Sequence, residues 1–261
     1  MAKMSVSGNT YRITRKRPFV DTPVASQQVE DALPFAYDMV YGEEGHHRAK
    51  RSGGWLVRDN LEMFANTFQG KLAEIALHDR LAAEGIAVSD LDFGIYGYGK
   101  WDNGDLLANG KRLNVKSAAH FAHLLLLEQK DWDENGLYIP DRGKGKSAYY
   151  DCFVLVRIKP DAKTLLKDHE KFSEATKTTK MDTPPTQEDF KEIIGPLQWF
   201  YDIAGCISHD TLVKGIRERQ RMPQGALLNG KMPMDANNYY FQAGAMVSGY
   251  KLIEKLKELC V

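Results

Sequence analysis

The chain has 261 residues, 43% of them hydrophobic, and its 35 basic residues are balanced by 35 acidic ones for a formal net charge of zero. That composition suits one compact domain, or a core domain with appendages, and argues against wholesale disorder and against a binder that is basic throughout. Three scattered cysteines, Cys152, Cys206 and Cys260, show no paired spacing, which speaks against a disulfide framework and a cysteine zinc site. No apolar run is long enough to span a membrane and the N-terminus lacks the hydrophobic stretch of a signal peptide, so a cytoplasmic location is expected.

Residues 1–58 read as an N-terminal arm with a helical segment and two basic clusters. Arg12, Arg15, Lys16 and Arg17 form the first; Arg48, Lys50 and Arg51 form the second, beside the adjacent pair His46 and His47. Arg12, Arg15, Arg17, Arg48, Lys50 and Arg51 are candidate DNA contacts, and equally suit a solvated basic terminus and loop. From Asp59 to Glu84 the residues Leu61, Phe64, Ala65, Phe68, Leu72, Ile75 and Ala76 recur at helical spacing, with Asp59 or Asn60 to cap the start and Gly85 to end it. Glu74 lies off that stripe on a flank with Lys71 and His78, where it suits a solvated Lys–Glu pair as well as a catalytic acid.

Asn109-Gly110 is the strongest local signal, because both residues tolerate the positive φ that a two-residue type I′ hairpin demands. With that turn the register pairs Ala108 with Lys111, Leu107 with Arg112, Leu106 with Leu113 and Asp105 with Asn114. Directly opposed side chains share a face at roughly 5 Å. Alternation then puts Lys116 with Asn114 and Asp105, and sends Leu113 and Val115 to the other, buried side. Asp102, three residues before Asp105, competes for a direct role but precedes the turn signal Asn103-Gly104, where an Asp more often caps amides.

Further along, 121–128 reads as a short apolar helix or strand, 135–146 as a loop, and 149–158 as a strand buried on both faces that should pair beside the Asn114–Lys116 strand. The polar stretch 173–187 reads as a long loop. Helical signals follow at 187–194 and 197–203, and again from about Asp210, where Lys214, Arg217, Arg219 and Arg221 cluster. Residues 237–242 suggest a short aromatic strand with Tyr239 and Phe241 in the core, and 245–259 a final helix.

Asp105 followed by Asn114-Val115-Lys116, with a helix before and a hydrophobic strand after, resembles the P-D…(D/E)-X-K core of the restriction-endonuclease-like nuclease superfamily. The resemblance spans about Phe64 to Ile158, and Asn114 departs from it where the family usually has Asp or Glu. It implies an α/β fold with a mixed central β-sheet flanked by helices, in which 59–172 is the catalytic core and 173–261 completes the same domain. It also implies a metal-dependent endonuclease acting on double-stranded DNA, most like a type II restriction enzyme and functioning as a homodimer. The resemblance assigns catalysis to Asp105, Asn114, Lys116 and Glu74, the last because Phe68 to Glu74 is similar to a helix that adds a second acid in many such nucleases. Mg2+ or Mn2+ would be held by Asp105, Asn114, Glu74 and the carbonyl of Val115.

The chemistry accounts for these residue types. Phosphodiester hydrolysis needs an activated water and neutralisation of charge on the phosphate, which a hard divalent ion on oxygen ligands supplies with a lysine beside it. A phage-defence or repair nuclease on the same fold, and a catalytically degenerate DNA-binding protein, are the alternatives.

Overall fold

The computed structural model describes residues 2–42, 58–95, 106–142, 147–173 and 184–259. The fold is mixed α/β. Strands β1 (Ser5–Ser7), β2 (Thr10–Arg12) and β3 (Thr22–Pro23) precede helices α1 (Ser26–Tyr41) and α2 (Asn60–Ala83). Then come β4 (Leu106–Ala108), β5 (Lys111–Ala119), β6 (Leu124–Glu128), β7 (Cys152–Lys159), α3 (Ala162–Asp168), α4 (Glu170–Ser173) and α5 (Gln187–Ile194). The chain continues with β8 (Phe200–Ser208), α6 (His209–Arg217), β9 (Arg221–Met222), β10 (Leu227–Leu228), β11 (Met232–Pro233), β12 (Asn238–Gln242) and α7 (Gly249–Glu258).

The central sheet has the order β3-β8-β7-β5-β4. The β4–β5 hairpin has the expected register, Leu106 opposite Leu113 and Ala108 opposite Lys111, around Asn109 and Gly110 at φ 47° and 75°. Asn109 also ties the turn down: its Oδ1 accepts from the Ala87 amide at 2.9 Å and its Nδ2 donates to the Leu256 carbonyl at 2.8 Å. Strand β7 lies beside β5 as expected, parallel, with Asn114 level with Phe153 and Lys116 level with Leu155. Antiparallel β8 completes the centre and carries a bulge at Ala204, because Leu155 pairs with Gly205 and Val156 with Ile203. A Cβ on Gly205 would meet the Val247 carbonyl at 2.8 Å, so this close approach of the chain entering α7 depends on glycine.

Helix α2 forms where the apolar spacing predicts, capped by Asp59, whose carboxylate accepts from the Glu62 amide. Its buried face, with Phe64, Phe68, Leu72 and Ile75, packs with α1, α3, α5 and α7 over the sheet face carrying Leu113, Val154 and Val156. The opposite face, with Phe153, Leu155 and Ile207, is covered by Trp132, Tyr150, α6 and a three-stranded sheet of order β6-β12-β9. Tyr239 and Phe241 are buried there.

One expectation fails. Residues 197–203, read as helical, instead enter β8. Leu197 and Tyr201 match a helical period by coincidence, and Asp202 is buried against Arg157. The run 121–128, open between helix and strand, contains β6: between β5 and β7 the described residues hold this strand and two 3-10 turns, and β6 belongs to the other sheet. The N-terminal segment is built into the fold, with β3 on the central sheet, α1 against α2, and β2 paired with β10.

Arg157 fastens this arrangement. Its guanidinium is wholly buried, yet all five N–H donors have acceptors: Asp202 twice, and the carbonyls of Arg17, Ala122 and Pro18 at 3.0, 3.1 and 2.9 Å. A buried charge in a β-strand is tolerated only with this degree of pairing.

Candidate functional site

The site grows from β5. Pleating sends Leu113, Val115 and Ser117 toward α2, and Arg112, Asn114 and Lys116 to the opposite face, since Asn114 and Lys116 are level with Phe153 and Leu155 of that side's core. Asn114 is 8% exposed, and its Oδ1 is buried without a hydrogen-bond partner among the described residues. An unpaired buried carbonyl oxygen costs about 1–3 kcal/mol, so evolution of a plain core would replace it. Lys116 is half-buried two residues on.

Arg112 belongs to the same face and the sequence reading passed over it. It lies over the Tyr150 ring at 4.7 Å, bonds the Ser147 carbonyl, and comes within 3.7 Å of the Asp141 carboxylate, which is also buried. The available signal was its position two residues before Asn114, which alternation alone puts on Asn114's side. The loop that follows is shaped by Asp133, whose Oδ1 accepts from the amides of Asn135 and Leu137 at 2.9 and 2.8 Å.

Asp105, expected opposite Asn114, lies outside the described residues, as do Asp102, Arg48, Lys50 and Arg51. Among the described residues no three His, Cys, Asp or Glu side chains converge as a metal site.

Glu74 stands on α2, which covers the Leu113 side of β5 with Gly70 beside Ser117. Its carboxylate takes the Lys71 ammonium at 2.7 Å. That pair is buried rather than solvated: Lys71 is 3% exposed, donates also to the Asp92 carbonyl at 2.7 Å, and sits 4.4 Å above the Phe35 ring. The alkyl stem of Lys71 makes it an acceptable core residue once its head group is paired, which a helical wheel does not reveal.

Of the N-terminal basic residues, Arg12 and Arg15 are exposed. Arg17 turns inward, donating from Nη2 to the Met246 carbonyl at 2.8 Å, so it supports structure rather than a phosphate clamp. In the later basic cluster, α6 ends at Arg217; Arg219 adopts φ 50° and Arg221 stands on β9.

Comparison with known proteins finds no match: no protein-family model, no curated protein and no solved structure aligns with this chain. No helix among the described residues is long and apolar enough to cross a membrane.

Proposed function

We propose that the chain is a metal-dependent endonuclease for duplex DNA with a restriction-endonuclease-like core, most like a type II restriction enzyme. The observation that carries this reading is the face of β5, where a buried Asn114 Oδ1, unpartnered among the described residues, shares a side of the strand with Lys116. An oxygen left without a donor fits a hard cation, which asks for oxygen ligands and tolerates few protein ones.

A divalent ion bound there would supply Lewis acidity toward the phosphate and lower the pKa of an attacking water. Asp105 would provide its charged ligand, with Asn114 Oδ1 and the Val115 carbonyl as neutral ones. Lys116 would orient the water and offset charge developing on the phosphate oxygens. Glu74 is a weaker member of this set because Lys71 already neutralises it.

The neutral Asn114 favours a second reading, a DNA-binding protein whose nuclease core has degenerated. Titration calorimetry separates the two. The nuclease reading expects specific Mg2+ binding that Asp105→Ala abolishes; DNA binding with no such Mg2+ signal would favour the degenerate protein. Digestion of unmethylated phage and plasmid DNA then distinguishes types of nuclease. Discrete, EDTA-sensitive fragments mark a restriction enzyme, while EDTA-sensitive nicking or smearing marks a defence or repair enzyme.

A further inference from the structure

A second surface concentrates charge. Strands β1, β2, β10 and β11 form a four-stranded sheet in which β10 runs parallel to β2, Leu227 opposite Thr10 and Leu228 opposite Tyr11. Side chains lock the two distant segments together: the Ile13 amide donates to Asn229 Oδ1 at 3.2 Å, and Asn9 Nδ2 donates to the Gly225 carbonyl at 2.9 Å. The sheet closes over a small core of its own that includes Met4, Met222, Met234 and Tyr240.

Residues 2–20 and 219–234, which build and adjoin this sheet, carry Lys3, Arg12, Arg15, Lys16, Arg17, Arg219, Arg221 and Lys231 and not one Asp or Glu. The whole chain is neutral, with 35 of each sign, so removing these eight cations leaves 27 against 35 carboxylates elsewhere. All of them except Arg17 are exposed. Ordinary surfaces intersperse the two signs, and elsewhere on this molecule exposed lysines do pair with acids, as Lys171 does with Asp189 and Glu192 and Lys257 with Glu84. Asp21, Glu218 and Asp235 border these segments, yet among the described residues none of the module's seven exposed cations forms an ion pair, and Asp21 and Glu218 pair with Lys159 and Lys214 instead.

We propose that this module is a docking surface for the phosphate backbone of double-stranded DNA, separate from the strand-borne site; the choice of DNA rests on the nuclease reading of that site. Duplex DNA carries one negative charge per about 1.7 Å of axis, and cations that contact it release condensed counterions, so binding by such a surface is steeply salt-dependent and indifferent to base sequence. Folding is what creates the surface, because its two halves lie about two hundred residues apart and the N-terminal cluster alone would be a basic tail.

The test measures fluorescence anisotropy of a short labelled duplex in EDTA across a salt series. It compares the wild type with Arg12→Ser/Arg221→Ser/Lys231→Ser and with a control altered at exposed cations elsewhere, Lys191→Ser/Lys251→Ser/Lys255→Ser. The module variant should lose affinity by roughly tenfold or more near physiological salt, and its log–log salt slope should fall by roughly 3. Its melting temperature should match the wild type, and the control should bind nearly normally. Equal losses in both variants, unchanged binding by the module variant, or preference of the wild type for anionic vesicles over DNA would each overturn the proposal. The nuclease reading is judged separately: metal-dependent cleavage with unaltered binding by the module variant sinks only the docking surface, whereas module-dependent binding without cleavage sinks only the nuclease.

Discussion

At Asn114 the sequence and the fold disagree about what a residue should be. The position is core-like in exposure but polar in chemistry, and its Oδ1 finds no donor among the described residues. Asn114→Leu should therefore raise the melting temperature of the metal-free protein, by the equivalent of about 1 kcal/mol, while abolishing any stabilisation by Mg2+. Thermal melts with and without Mg2+ check this; a destabilised Asn114→Leu protein that still responds to Mg2+ would contradict it. Removing one partner of the Arg157–Asp202 pair acts in the opposite sense. Arg157→Met should cost about 3–5 kcal/mol in a denaturant titration, because it leaves the Asp202 carboxylate buried and unpaired. The signal for that pair was present as an arginine inside an otherwise apolar strand, but its partner lay inside a segment read as helix.

Elements with strong local instructions were legible. Asn109-Gly110 dictates the hairpin and its register, and Asn109→Ala should cost about 2 kcal/mol, combining a positive φ with two lost side-chain bonds, measurable by urea unfolding. Helix α5 offers a pH test. The Asp189 carboxyl is held down to about 2, first by the hydrogen bond from Lys171 and then by the amide and hydroxyl of Thr186. A depressed folded value means that its stabilising contribution is present above the ordinary carboxylate range and fades as pH falls from about 4 toward 2. Asp189→Asn should therefore melt lower than wild type at pH 7, with the gap closing steadily below pH 4. A gap independent of pH would show that the charge does not matter. Elements without local instructions were misread or left open. The run Leu124–Leu127 is apolar enough for helix or strand, and only its pairing with β12 decides the matter.

Over the whole molecule, the sequence resolves the sheet centre but not what covers it. The helical layer follows from amphipathic spacing in α2. The second sheet, and the pairing of β2 with β10, join residues remote in sequence and leave no short-range trace. The same holds for the candidate site. Alternation along β5 predicts the company of Asn114 and Lys116, whereas the placing of Glu74 depends on which side of the sheet α2 packs, which no local pattern encodes. The proposed metal-dependent catalysis therefore rests on β5 and the hairpin that positions it.

The most direct test is the Mg2+-dependent cleavage rate of one duplex substrate by the wild type and by Lys116→Ala, with DNA affinity and melting temperature measured on the same preparations. The β5 site predicts that the variant binds and folds as the wild type does but cuts slower by roughly 10²-fold or more. A variant that cuts at the wild-type rate, or a wild type that never cuts duplex DNA with Mg2+ or Mn2+, would contradict it.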